Sequence, residues 1–250
     1  GGAVPDGVPG GGPMKTGPSL ADFMAGQFAT AGILAALYER DTFSGEGQHI
    51  DIALLDCTIA AQSHYVSTYL ATGVVPQRRG TEGNGGIPSQ AFPCADRSIV
   101  VICGSEAQYR DFCRVLRHPE LADDPRFASN ADRLAHRREL AETFGALTRE
   151  WQSDELLAEL ERAGIPAGPI NTYPEVFADP QVLHRGLTLE AEHPQAGKVK
   201  FCASPIRFTG VEPPPPMAPP VLGQHTDEVL REVLGLDPAQ IAQLREQKAI

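Results

Sequence analysis

The chain has 250 residues, is 42% hydrophobic and carries a formal charge of −11, with 21 Lys and Arg against 32 Asp and Glu. That length and apolar content are enough for a substantial core, in one large domain or two small ones. The basic residues are scattered or paired, as at Arg78-Arg79 and Arg137-Arg138, so no basic stripe exists to make nucleic acid an expected partner.

The opening "GGAVPDGVPGGGPMKTG" is rich in glycine and proline, lacks apolar periodicity and reads as a loop. A chain starting inside such a loop predicts an upstream portion, missing or supplied by a separate chain. From Leu20 onward, Leu20, Phe23, Met24, Phe28, Ala31, Ile33, Leu34 and Leu37 recur at helical spacing until Arg40 and Asp41. This pattern predicts a long, largely buried helix. "GQHIDIALLD" then alternates through Ile50, Ile52 and Leu54 and predicts a short strand, after which "LLDCTIAAQSHYVSTYLATG" turns helical and stops at Gly73.

A second glycine-rich break, "PQRRGTEGNGGIPSQ", covers residues 76–90. After it, "AFPCADRSIVVICG" predicts two short strands around a turn at Asp96-Arg97. Three helical segments follow. The first starts at Ser105, with Gln108 completing a capping box and Tyr109, Phe112, Cys113 and Leu116 on one face; the second covers roughly 130–150; the third runs from Ser153 to Gly164, with Pro166 beyond. "VKFCASPIRFTG" reads as strand again, and "VEPPPPMAPP" is extended. Helices in "HTDEVLREVLG" and "DPAQIAQLREQ" close the chain.

The five cysteines are odd in number and lack CxxC spacing, which points to reduced thiols acting as core filler. The seven histidines show no HxxxH pair, so no metal site is expected. No apolar run reads as a membrane span of ~18 residues and no leader is visible, which leads to the expectation of a cytoplasmic protein without a membrane partner.

Two stretches attract chemical interest. Ser19-x-x-Asp22 has capping-box spacing, so Asp22 has an ordinary role available at a helix start. The same position suits a reactive carboxylate, because the helix N-terminus favours the ionised form, which can attack an activated acyl carbon. "GTEGNGG" reads either as a flexible hairpin tip or as a loop whose bare backbone approaches a reacting group. Glu106 has the same two-sided character, as a helix-start residue or as an acid or base facing a cleft.

The stretches "PMKTGPSLADFMAGQFATAGILAALYER", "GEGQHIDIALLDC", "FASNADRLAHRRELA", "ERAGIPAGPINTYPEVFADPQVLHRG" and "APPVLGQHTDEVLREVLGL" together resemble the family III CoA-transferases, the group that includes formyl-CoA and carnitine CoA-transferases. The resemblance implies an α/β fold: the C-terminal part of a large Rossmann-like domain plus a smaller α+β domain, in an interlocked homodimer. Residues 1–80 would belong to the large domain with the catalytic helix, 81–190 to the small domain, and 191–250 would return to the large one. It also implies that Asp22 is the catalytic nucleophile, which attacks an acyl-CoA thioester to form an acyl anhydride and then an aspartyl-CoA thioester. Gly83, Gly85 and Gly86 would form the substrate-binding loop that shields these species, and an acyl-CoA with a small carboxylic acid would be the substrates, with no cofactor or metal. Chains of that family begin with a further Rossmann-like portion, which the resemblance places upstream of residue 1. The α-methylacyl-CoA racemases belong to the same superfamily and carry a glutamate near the position of Glu106, so racemisation is one alternative. A non-catalytic acyl-CoA-binding subunit is another.

Overall fold

The computed structural model describes residues 15–77, 79–83 and 85–250. The fold is mixed α/β, and contacts divide it into two units, one reaching to Ile170 and the other covering Asn171–Ile250. The expected domain limits at residues 80 and 190 divide the chain differently.

In the first unit, α1 (Leu20–Glu39) continues into a π-helical turn, Arg40–Ser44, which Gly45 ends at φ 74°. Left-handed backbone of this kind costs glycine little, because it has no Cβ to clash. α2 (Leu54–Ala61) packs on α1, and α3 (His64–Thr72) ends at Gly73 with φ 71°. The helices are where the pattern puts them, but the expected burial is absent: no residue of α1 is buried, and Phe23 and Leu34 are 62% and 61% exposed. The periodicity marks an apolar helix, whereas burial needs an opposing surface, and no described residue supplies one for most of α1. By length and composition alone, Leu20–Ser44 would also cross a membrane, which corrects the expectation that no segment passes that test. The strand expected over "GQHIDIALLD" does not form either, since residues 46–53 are irregular and no neighbouring strand pairs with them. Ile50 instead lies against α1, close to where a side chain on Gly32 would point.

The remainder of this unit closes its own core. β1 (Ser89–Pro93) and β2 (Ser98–Ile102) pair antiparallel from Ser89↔Ile102 to Pro93↔Ser98, and β3 (Ala167–Pro169), which the pattern did not reveal, adds to β2 in the register Ile99↔Pro169. Along β2 the alternation puts Ile99 and Val101 inside while Ile102 faces out. The helices α4 (Glu106–Val115), α6 (Arg137–Thr148) and α7 (Ser153–Arg162) share the core with this sheet, and α5 (Asn130–Ala135) adds the buried Arg133. Phe92, Phe112 and Phe144 are fully buried, and the Phe112 and Phe144 rings lie 4.9 Å apart. Burying each such ring contributes about 1.5–3 kcal/mol. Polar contacts then fix the sheet against its helices: Thr148 Oγ1 donates to the Pro93 carbonyl at 2.7 Å, and Asp96 in the β1–β2 turn accepts from the Ser153 amide at 2.8 Å and hydroxyl at 2.6 Å.

The second unit holds α8 (Tyr173–Ala178), α9 (Pro180–His184), the hairpin of β4 (Thr188–His193) and β5 (Gly197–Cys202), then α10 (Thr226–Glu232) and α11 (Pro238–Glu246). Between β5 and α10 the proline-rich stretch carries no regular element.

Candidate active site

Asp22 occupies the third position of α1, in its first turn, and is exposed. Ser19 precedes the helix with φ −75° and ψ 70°, and its side chain makes no capping bond. Three other segments with the same spacing do close. Ser129 and Asp132 bond reciprocally at the start of α5, as do Thr172 and Glu175 at α8 and Asp237 and Gln240 at α11, and all three cap residues are extended, with ψ between 164° and 166°. A cap residue needs that extended backbone to swing its oxygen over the third amide, and Ser19 lacks it. The capping role that the spacing permits is therefore not taken up, and the Asp22 carboxylate has no hydrogen bond among the described residues. It stands at the positive end of a 20-residue helix dipole.

The glycine loop is held more tightly than its composition implies. The Gly83 amide donates to the Ser89 carbonyl at 2.8 Å. A Cβ on Gly86 would sit 2.1 Å from the Cys103 carbonyl oxygen, so only glycine fits there, whereas a Cβ on Gly85 would have no neighbour within 4 Å. Of these glycines, only Gly85 faces open space. No hydrogen bond or ion pair among the described residues joins the loop to Asp22.

Glu106 pairs with Arg133, whose Nη2 donates to Oε1 at 2.6 Å, and this bond holds the Glu106 carboxyl below the usual carboxylate range. The helix is capped by its neighbour instead. Ser105 accepts from the Gln108 amide, but the Gln108 side chain turns to the Gly104 amide at 2.9 Å and the Gly164 carbonyl, so the expected capping box is only half formed. Arg133 itself is a residue that sequence patterning misses. It is 2% exposed, its Nε and Nη1 each donate 2.8 Å bonds to the carbonyls of Ile87 and Phe127, and its guanidinium lies 4.1 Å from the Tyr109 ring centre. The only sequence signal was its place in the recognisable stretch "FASNADRLAHRRELA".

The remaining groups are quiet. Among the described residues no three His, Cys, Asp or Glu form a metal-binding group. All five cysteines are free thiols and four are buried; burial pushes Cys103 up to about 12 and Cys113 up to about 11, which makes both poor nucleophiles. An open depression of about 740 Å³ between α7 and β3, lined in part by Asp154, Glu161 and Gly168, contains neither Asp22 nor the loop glycines.

A sequence model of CoA-transferase family III matches residues 1–226. The chain is 36% identical over 234 residues to a succinyl-CoA:glutarate CoA-transferase of Homo sapiens, covering 94% of this chain and 53% of that protein. It is 37% identical to a succinate–glutarate CoA-transferase of Agrobacterium fabrum, covering 91% of this chain and 56% of that one. A crystal structure of a CaiB/BaiF family protein from Brucella suis superposes with a TM-score of 0.75 at 36% identity, over 91% of this chain and 58% of that one. The chain thus spans a little over half the length of these relatives.

Proposed function

The chain belongs to CoA-transferase family III, and on that premise we propose that, in an assembly of family length, it transfers coenzyme A from an acyl-CoA thioester to a carboxylic acid. Asp22 is the nucleophile in this proposal. One carboxylate oxygen attacks the thioester carbonyl, the carbon–sulfur bond breaks, and the CoA thiolate leaves an acyl–aspartyl anhydride behind. The thiolate then attacks the Asp22 carbonyl carbon, which frees the first acid and leaves an aspartyl-CoA thioester. The acceptor carboxylate displaces the thiolate to form a second anhydride, and attack of the thiolate on the acceptor's carbonyl gives the new acyl-CoA and restores Asp22. Every intermediate keeps the acyl activation, so the balance needs neither ATP nor metal. Water is the competing nucleophile, and Gly83, Gly85 and Gly86 are placed in this scheme as the loop that excludes it.

The observation that carries the proposal is the uncommitted Asp22 carboxylate at the start of α1, where other segments of equal spacing close their caps and this one does not. The names of the relatives support a dicarboxylate donor and acceptor of the succinyl-CoA and glutarate class. A homodimer, or a separate chain supplying the N-terminal half, would cover the apolar face of α1, and on that account we place the helix against protein in a cytoplasmic enzyme. The domain division at residues 80 and 190 belongs to the same proposal. The stretches "EGNGG" and "GIPAGPIN" favour transfer over racemisation, and Glu106, near the position of a racemase glutamate, is paired with Arg133.

Trapping tests the scheme. Incubating the assembly with acyl-CoA and hydroxylamine should mark Asp22 as a hydroxamate on peptide mapping, and Asp22→Asn should lower transfer on the order of a thousandfold or more without changing the melting temperature. A mark on another residue, or near-wild-type transfer by Asp22→Asn, would remove Asp22 from the mechanism.

A further inference from the structure

We infer, on the basis of the transfer chemistry proposed above, that Asn130, Arg133 and Arg137 are positioning residues: they hold the two ends of the glycine loop and thereby set how completely the covalent intermediates are kept from water. At the exit of the loop, both backbone polar groups of Ile87 are taken by side chains of α5. The Ile87 amide donates to Asn130 Oδ1 at 3.0 Å, and its carbonyl accepts from Arg133 Nε at 2.8 Å. At the entry, Glu82 forms an ion pair with Arg137, the first residue of α6. The Gly86 backbone lies so close to the Cys103 carbonyl that it has no room to shift toward β2. Three side chains within residues 130–137 therefore grip both flanks of the loop.

The two grips differ in quality. Arg133 spends its guanidinium on Ile87, Phe127 and Glu106 while stacked on Tyr109, so the exit is held by a buried and well-satisfied group. Arg137 pairs with Glu82 through Nη2, yet its Nε is buried with no partner among the described residues. A buried donor without an acceptor weakens the arrangement that contains it. The entry is thus the softer grip and the place to probe, because Arg137 is a quarter exposed and its removal leaves the buried core intact.

The experiment uses the family-length assembly and three readouts: transfer, acyl-CoA hydrolysis and backbone amide exchange. Arg137→Ala should raise the ratio of hydrolysis to transfer several-fold and speed exchange at residues 82–87, while residues 98–102 keep their protection and KM for acyl-CoA stays within twofold. Swapping the pair, Glu82→Arg with Arg137→Glu, should bring the ratio and the exchange back toward wild type, a rescue that a merely destabilised fold would not show. Arg133→Lys, which keeps the charge and loses the fork, should loosen exchange at Ile87. A wild-type ratio in Arg137→Ala overturns the inference, whether or not exchange changes. A wild-type assembly that performs no transfer overturns the functional proposal instead, and exchange at 82–87 in Arg137→Ala then still decides whether the loop is gripped at all.

Discussion

Two parts of one unit use similar apolar residues to opposite ends. Between Ile87 and Ile165 the aromatic side chains meet each other, and Phe92, Phe112, Phe127 and Phe144 are at most 1% exposed. In α1–α3, Phe23, Leu34, Leu55 and Leu70 are between 61% and 75% exposed. The first part is a self-sufficient core. The second leaves many large apolar side chains in one neighbourhood uncovered by the described residues. The proposed nucleophile sits on the second part and the glycine loop on the first.

The largest effect that tests this contrast is on stability. Phe144→Ala removes a ring packed against Phe92, Tyr109 and Phe112 and should cost about 3–5 kcal/mol in urea unfolding of the 250-residue chain. Leu34→Ala, on a helix face with little to lose, should change it by about 0.5 kcal/mol or less. Comparable losses from the two substitutions would mean that α1 is covered in this chain as well, and the contrast would collapse.

How much of this was legible in the sequence follows the same division. The strands around Asp96-Arg97 and the helices from Ser105 and Ser153 could be read because their periodicities and stop signals refer to a core that lies within the same stretch, whereas the single helix expected over 130–150 is broken at His136 into α5 and α6. The burial of α1 could not, because a helical stripe says which face is apolar and not what it meets. The strand expected through Ile50 and Ile52 fails for the same reason: alternation needs a neighbour to pair with. In α5 the pattern is inverted outright. Leu134 is 48% exposed and Arg133 is 2% exposed, because the guanidinium finds two carbonyls, a carboxylate and a ring, while the leucine finds none of the core. Within the candidate site, the spacing of Ser19 and Asp22 was legible and its meaning was not; the ψ of Ser19, a local backbone detail, decides that the cap stays open.

The glycine loop offers a sharper division at intermediate cost. Gly86→Ala drives a methyl group to within 2.1 Å of a carbonyl oxygen and should destabilise the protein by about 1–3 kcal/mol through overpacking. Gly85→Ala meets nothing within 4 Å and should leave stability within about 0.5 kcal/mol. Any change in the ratio of transfer to hydrolysis caused by Gly85→Ala in the assembly therefore reports on the chemistry at the loop and not on folding. Equal melting temperatures for the two variants would show that the Gly86 contact relaxes freely, and a wild-type ratio in both would show that the loop is a plain hairpin tip.

The smallest effect concerns Glu106, which lies near the position of a glutamate found in the racemases. Its carboxyl lies below its ordinary value of 4.5, first through the hydrogen bond from Arg133 and then, against the opposing effect of burial, through that residue's charge. A depressed carboxyl stabilises the fold in its ionised form, so its contribution is complete above pH 4.5 and fades as pH falls below that value toward the lowered one. The side chain is 54% exposed, so solvent screens the pair and the contribution is about 1 kcal/mol or less despite its buried partner. Urea unfolding of wild type and Glu106→Gln should then differ by a constant amount well above pH 4.5 and converge as the pH falls below 4.5 toward the lowered value. Convergence below pH 4.5 leaves Glu106 as the exposed end of the Arg133 grip on the glycine loop, whereas a gap that stays unchanged below pH 4.5 would show that Arg133 does not favour its ionised form.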